Sequence, residues 1–341
     1  MLILNKELNV RAVKQKLLNS TIYIVLVVLL LVIIAIEPKF LSIRNFTFIL
    51  QQAAPRIVLA LASASICIIG GRDMSTGRQI GLSAIICSVL LQASDYSIKL
   101  YPNIPCLPLL LPLLISMVFC AVCSMINSLL VSKLRMIPMI ASLGMQMAIY
   151  GAMSVYYDDL TGGTPISGLD KSYTKFCQGE FYLGGVRVPY IVIYAVLVAL
   201  FYWFVWNRTK LGRNMFACGG NPEAATVSGV SVVNTSLMVY LMAGCTYAFA
   251  GFLEAGRIAS ITNEMGNGYE LDAIAGCVIG GVSLRGGIGT IRGVLVGVML
   301  LQVINYGLVY LGVNIYYTNL ARGLIMLFAV AIDIQKNIKK K

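Results

Sequence analysis

The sequence predicts an all-α fold, a polytopic transmembrane helical bundle of about ten spans with both termini cytoplasmic. Three observations carry that expectation. Of 341 residues, 58% are hydrophobic and only 12% charged, about half the ~25% charged share of a soluble domain. A soluble chain this apolar would lack the polar surface to cover itself. Apolar residues come in runs of about 20, the length that crosses a hydrocarbon core of about 30 Å as a helix. Lys and Arg divide unevenly between alternate loops, as they do in membrane proteins of fixed orientation.

The runs follow in order. Leu17 to Ile36 is the first. It has no small-residue cleavage site and more spans follow it, so it reads as a retained signal anchor. The second runs from Phe46 to Gly70 and is interrupted by Pro55 and Arg56. A third follows the polar turn Gly71 to Arg78 and ends near Ser94. Leu100 to Ser132 carries no charge; Pro102, Pro105, Pro108 and Pro112 predict a loop at its start and a helix after it. Met136 to Tyr157, Val188 to Asn207 and a stretch within Ala224 to Leu253 are the fifth, sixth and seventh. Ala273 to Leu284 is short and Gly-interrupted, which predicts a broken or re-entrant helix. Gly293 to Gly312 and Tyr316 to Ile332 complete the set.

With the N-terminus inside and the runs alternating, seventeen Lys and Arg fall inside and seven outside, while Arg56 and Arg322 lie within spans. That bias favours an even number of spans and two cytoplasmic termini. The whole chain, 1–341, then reads as one membrane domain with a cytoplasmic tail (1–16), an inward loop (208–232) and an outward loop (158–187). The outward loop carries Gly162-Gly163-Thr164-Pro165 with Asp158, Asp159, Asp170 and Glu180. A lid or docking surface and a plain connector are both open readings of it.

The formal charge is +12. In a soluble protein that would raise nucleic acid as a partner; here inward-loop bases account for it, and membrane lipid is the partner expected, with no nucleic acid. The chain has no His, so the commonest zinc ligand and general base is missing. Cys120 and Cys123 form a C-x-x-C inside an apolar run without a second pair, which favours packing over a metal site. No G-x-x-x-x-G-K-[S/T] phosphate loop occurs, so no ATPase site, no catalytic residues and no metal are expected on this chain.

The inward loop holds Gly219-Gly220-Asn221-Pro222-Glu223-Ala224-Ala225 followed by Ser228-Gly229. The glycines permit a sharp turn. Asn221 suits an N-cap, Pro222 the first helical position and Glu223 the positive helix end; Gly229 suits a stop. A helix this short is marginal in water by itself, so it needs a surface, either that of its own protein or a partner's. Two glycine turns share the pattern I-G-G-x-x-[M/L]-x-x-G, from Ile69 and from Ile279; an internal repeat and chance in a Gly-rich chain both account for it. Charges in or near spans are costly and often functional: Arg56, Glu254, Arg257, Glu270, Asp272 and Arg322. Glu254 and Arg257, three apart, can pair on one helix face or contact substrate. Arg56 and Arg322 can snorkel, pair or line a water-filled path.

Taken together, the blocks resemble the ribose-type permeases of bacterial ATP-binding-cassette sugar importers over nearly the whole chain. The resemblance rests on Ser75-Thr76-Gly77-Arg78-Gln79-Ile80-Gly81-Leu82, Tyr156-Tyr157-Asp158, Pro165-Ile166-Ser167-Gly168, the inward-loop block with Val227-Ser228-Gly229-Val230, Leu253-Glu254-Ala255-Gly256-Arg257-Ile258, Tyr269 to Ala275, and Val303-Ile304-Asn305-Tyr306-Gly307-Leu308. Arg78-Gln79 and the Tyr-Glu-Leu-Asp context resemble the galactoside branch more than the ribose branch. Arg72, Met74 and Gly144-Met145-Gln146 depart from the pattern. The resemblance implies a bacterial inner-membrane permease importing a galactose, methyl-galactoside or glucose type of sugar. Its implied partners are a second copy of the chain, separate ATPase subunits that hold ATP and Mg and grip Asn221 to Gly229, and an extracytoplasmic sugar-binding protein. Arg78, Gln79 and Asn305 join the charged residues as candidates for the path or gate. An ion-coupled secondary sugar transporter is the alternative, since broken helices and membrane charges serve that mechanism too; a passive channel is a third.

Overall fold

The structure, a computed structural model, describes residues 27–338 apart from 185. The expected tail 1–16, the first half of the run Leu17 to Ile36 and the terminal Lys339 to Lys341 lie outside the described residues. Helix α1 occupies Val27–Ile36, and a 3₁₀ turn, Pro38–Phe40, leads into α2 (Ile43–Ile68). Then come α3 (Thr76–Leu90), α4 (Leu110–Ser132) and α5 (Pro138–Thr161). The 158–187 segment holds α6 (Lys171–Gln178), β1 (Glu180–Leu183) and the start of β2 (Val186–Pro189). Next are α7 (Tyr190–Arg208), α8 (Lys210–Gly220), α9 (Pro222–Val227) and α10 (Val232–Ile258). Last are α11 (Tyr269–Ile279), α12 (Ile291–Tyr310) and α13 (Ile315–Ile338).

Among the described residues, five helices are long and apolar enough to cross a membrane: α2, α4, α7, α10 and α12. Helices α5 and α13, with 24 residues each, reach about 36 Å at 1.5 Å per residue. Helix α11 is different. It has 11 residues, about 16 Å, and ends at Gly280. The expected span Ala273 to Leu284 is therefore a half-helix that starts four residues earlier and gives way to irregular chain over 280–290.

The core is built on α2 and α10. Val58 to Ile68 are fully or almost fully buried, because α7, α8, α10, α11 and α12 pack around α2. Lipid-facing helices look different: α4 and α7 bury one stripe and expose Leu114, Val118 and Val122, or Val196, Leu200 and Phe204. Such residues are tolerated on the outside only where hydrocarbon is the solvent.

Backbone contacts define the two ends of the bundle. At one end the Ala93 amide donates to Gly168, Asp170 to Leu91, and Ile166 and Ile261 exchange both bonds. At the opposite end the Gly287 amide donates to the Ile68 carbonyl at 2.8 Å, and Ser142 Oγ donates to the Arg72 carbonyl.

One small β element sits within the helical fold: Phe181-Tyr182-Leu183 and Val186-Arg187-Val188, β-favouring residues either side of a glycine pair, form an antiparallel hairpin. The 158–187 segment is tied to the bundle. Asp170 caps α6 by accepting from the Ser172 amide, the buried Tyr173 hydroxyl donates to the Phe252 carbonyl, and Gln178 Nε2 donates to the Gly256 carbonyl. Helix α6 is thus clamped to the C-terminal end of α10.

Candidate functional site

Five of the six membrane charges form one chain. Arg56 follows Pro55 in the middle of α2; its Nη1 lies 2.5 Å from Asp272 Oδ2 in the first turn of α11. Arg322 of α13 approaches the other oxygen of the same carboxylate at 3.4 Å. The Arg56 guanidinium also lies over the Tyr269 ring, 3.3 Å from its centre. Tyr269 donates its hydroxyl to Glu254, whose side chain is 1% exposed. Arg257 closes the chain with a fork of bonds to Glu254 at 2.8 and 3.0 Å. Two carboxylates, three guanidiniums and one phenol tie α2, α10, α11 and α13 together. Asn305 of α12 lines a small crevice with Arg56, Asp272 and Gln302. An unpaired charge here would face a low-dielectric surrounding at a cost of several kcal/mol, and the pairing removes it.

Arg78 and Glu270 stand apart from that chain. Arg78, in the first turn of α3, donates to the Asn263 carbonyl, lies 3.6 Å from Glu264 and stacks 4.0 Å from the centre of the Tyr150 ring. Tyr150 donates to Glu264 at 2.8 Å. Glu270 accepts from Gln146 of α5, and its other oxygen is buried against Gly77 without a hydrogen-bond partner. That carboxylate sits at the positive end of α3, where negative charge is stabilised.

Gln79 belongs to a third group. It donates to Ser75 Oγ and accepts from Ser124 Oγ. Ser75 donates to Asp73, and Asn127 donates to both Ser75 and Asp73. All are buried. Asp73, Ser75, Ser124 and Asn127, like Tyr150, Glu264 and Tyr269, are functional candidates that sequence reading passed over. Asp73 in a Gly-flanked turn was the readable signal; the rest carry none without their partners.

At the Ile68 end lies the 208–232 segment with α8 and α9. Asn221 caps α9 as expected, accepting from the Glu223 and Ala224 amides at 3.0 Å. Pro222 occupies the first helical position, and Gly229 stops the helix with φ +81°. The residues Pro222, Glu223, Ala224, Thr226, Val227 and Ser228 are exposed and Ala225 is buried. Gly219 and Gly220 do not form the sharp turn expected of them. They end α8 as helix, and the physical requirement at Gly219 is closeness: a Cβ there would overlap the Ile68 carbonyl and stand 2.6 Å from the Gly287 amide. The two I-G-G turns meet here as well. Each ends a helix through one left-handed glycine, Gly70 at φ +84° and Gly281 at φ +82°, but these occupy successive positions of the shared pattern.

A helical bundle with paired charges in its interior and an exposed short helix at one end fits a membrane permease component. The chain belongs to the family described as branched-chain amino acid transport system / permease component, whose model matches residues 45–330. Within it the chain groups with ribose-type sugar-importer permeases of the bacterial inner membrane. It is 47% identical to the galactose/methyl galactoside import permease of Escherichia coli (strain K12), over 98% of this chain and 99% of the relative. It is 46% identical to that of Haemophilus influenzae, over 95% and 96%. Against the ribose import permease of Bacillus subtilis (strain 168) identity is 34%, over 92% and 91%. No solved structure matches the chain.

Proposed function

We propose that this chain is the membrane permease of an ATP-binding-cassette importer that carries a monosaccharide of the galactose, methyl-galactoside or glucose type into the cell. The observation that carries the reading is end-to-end similarity, at 47% identity, to permeases named for galactose and methyl galactoside import. In this reading ten spans leave both termini in the cytoplasm, two copies of the chain enclose the path, and a sugar-binding protein delivers substrate from outside. Separate ATPase subunits grip α9. The exposed α9 supports that role: Val227 is 90% exposed, an apolar side chain at an end of the bundle that faces water rather than lipid. The close backbone packing of Gly219 on Ile68 and Gly287 supports transmission, since a push on α8 and α9 has no soft side chain to absorb it. Arg56, Arg78, Gln79, Glu254, Arg257, Glu270, Asp272, Asn305 and Arg322 are proposed as the path, gate or the frame around it.

The test is reconstitution of the chain in liposomes with its ATPase and binding protein. ATP-dependent uptake of labelled galactose is expected, with ribose carried less well. Uptake by the permease alone on a proton or sodium gradient would overturn the reading in favour of a secondary transporter.

A further inference from the structure

The segment between α10 and α11 does not stay at the outer end of the bundle. Met265 and Gly266 press their carbonyls onto Gly81 and Gly77 of α3. That part of α3 lies at mid-depth, because Gln79 accepts from Cys120 and Ser124 near the middle of α4. Tyr150, the middle of α5, contacts Glu264 at the same level. Yet the Glu264 side chain is 53% exposed, and Asn267, which donates to it at 2.9 Å, is exposed too. A carboxylate facing lipid at that depth costs roughly 2.5–3.5 kcal/mol on insertion scales, so this face adjoins water or a polar ligand.

We propose that Arg78, Gln146, Tyr150, Glu264, Asn267 and Glu270 form a contact site for a neutral hexose within the membrane. The assignment rests on the sugar-permease reading above. The chemistry fits a polyhydroxylated ring. Glu264 is an acceptor for adjacent hydroxyls, and Asn267 supplies both a donor and an acceptor. Arg78 covers one face of the Tyr150 ring, and the ring is only partly buried; an aromatic ring of this kind suits the C–H surface of a sugar. Three buried polar atoms here lack hydrogen-bond partners: Arg78 Nε, Gln146 Oε1 and Glu270 Oε2, and Arg78 and Glu270 are themselves almost wholly buried. One guanidinium against two carboxylates repels phosphorylated or acidic sugars and admits neutral ones.

The test uses the full chain reconstituted with its ATPase and binding protein, with labelled galactose transported per ATP hydrolysed as the readout. Glu264→Gln, which preserves shape, is expected to lower that ratio about tenfold, the scale of one lost charge-assisted hydrogen bond. Tyr150→Leu is expected to lower it similarly, while Tyr150→Phe, which keeps the ring, retains most of it. Wild-type uptake with full transport by both Glu264→Gln and Tyr150→Leu overturns the site alone. No uptake of any sugar by the wild-type assembly overturns the permease reading and the site with it. If both variants lose the ratio because they no longer assemble with a second copy or the ATPase, read by size-exclusion chromatography, the patch is an interface and the site assignment falls.

Discussion

Asp272 is one carboxylate held between two guanidiniums, Arg56 and Arg322. Replacing it with Asn keeps the shape and strands two positive charges among apolar helices. Breaking a buried pair in this way costs about 3–5 kcal/mol, and partial exposure of both arginines places the expected loss at the lower end. Asp272→Asn is therefore expected to unfold at clearly lower denaturant in detergent; an unchanged midpoint would show that the charges are satisfied elsewhere. Gly219→Ala tests a different physical term. An added methyl meets backbone on two sides, so overpacking of about 1–3 kcal/mol is expected. A thermal scan in detergent reads it, and an unchanged melting point would mean that α8 slides freely on α2. Both residues were visible in the sequence as types, a membrane charge and a glycine. Their partners were not, since Asp272 and Arg56 are separated by 216 positions and nothing local in either neighbourhood names the other.

At the scale of elements, helix positions were legible wherever lipid dictates composition. The apolar runs predicted α2, α4, α5, α7, α10, α12 and α13 because a spanning segment must be continuous and uncharged. The cap chemistry of α9 was legible for the same local reason: Asn221, Pro222 and Gly229 each act within a few residues of themselves. Helix α8 was missed, since Gly219 and Gly220 look like turn residues until the backbone they pack against is known. The hairpin and α6 were missed because a short polar loop has no periodicity to read. Exposure of Glu223 beside the α9 N-terminus leads to a prediction at this scale. Glu223→Lys reverses the charge on an exposed helix without touching the core, so insertion and thermal stability are expected to stay as in the parent while sugar-stimulated ATP hydrolysis falls. Undiminished hydrolysis would remove α9 from the coupling route.

At the scale of the molecule, the chain of charges joins α2, α10, α11 and α13 into one ionic tie across the bundle. Arg322 is its outermost tie, on the last helix. Arg322→Ala is expected to slow sugar uptake in reconstituted vesicles while leaving the protein inserted, because α13 loses its ionic hold on α11. Uptake at the parental rate would confine Arg322 to a minor packing role. A double-mutant cycle pairing it with Arg56→Gln is expected to be non-additive by about 0.5–3 kcal/mol, as for groups that share one partner. By itself the sequence determined the solvent, the long apolar helices and the α9 cap, because hydrophobic runs, positive loops and cap residues act over short distances along the chain. Only the tertiary structure decided which charges neutralise one another, that the broken helix expected at 273–284 begins at Tyr269, and that the 262–268 segment packs Met265 and Gly266 on α3. Those outcomes depend on close approach between residues distant in sequence, and free energy of that kind has no local signature.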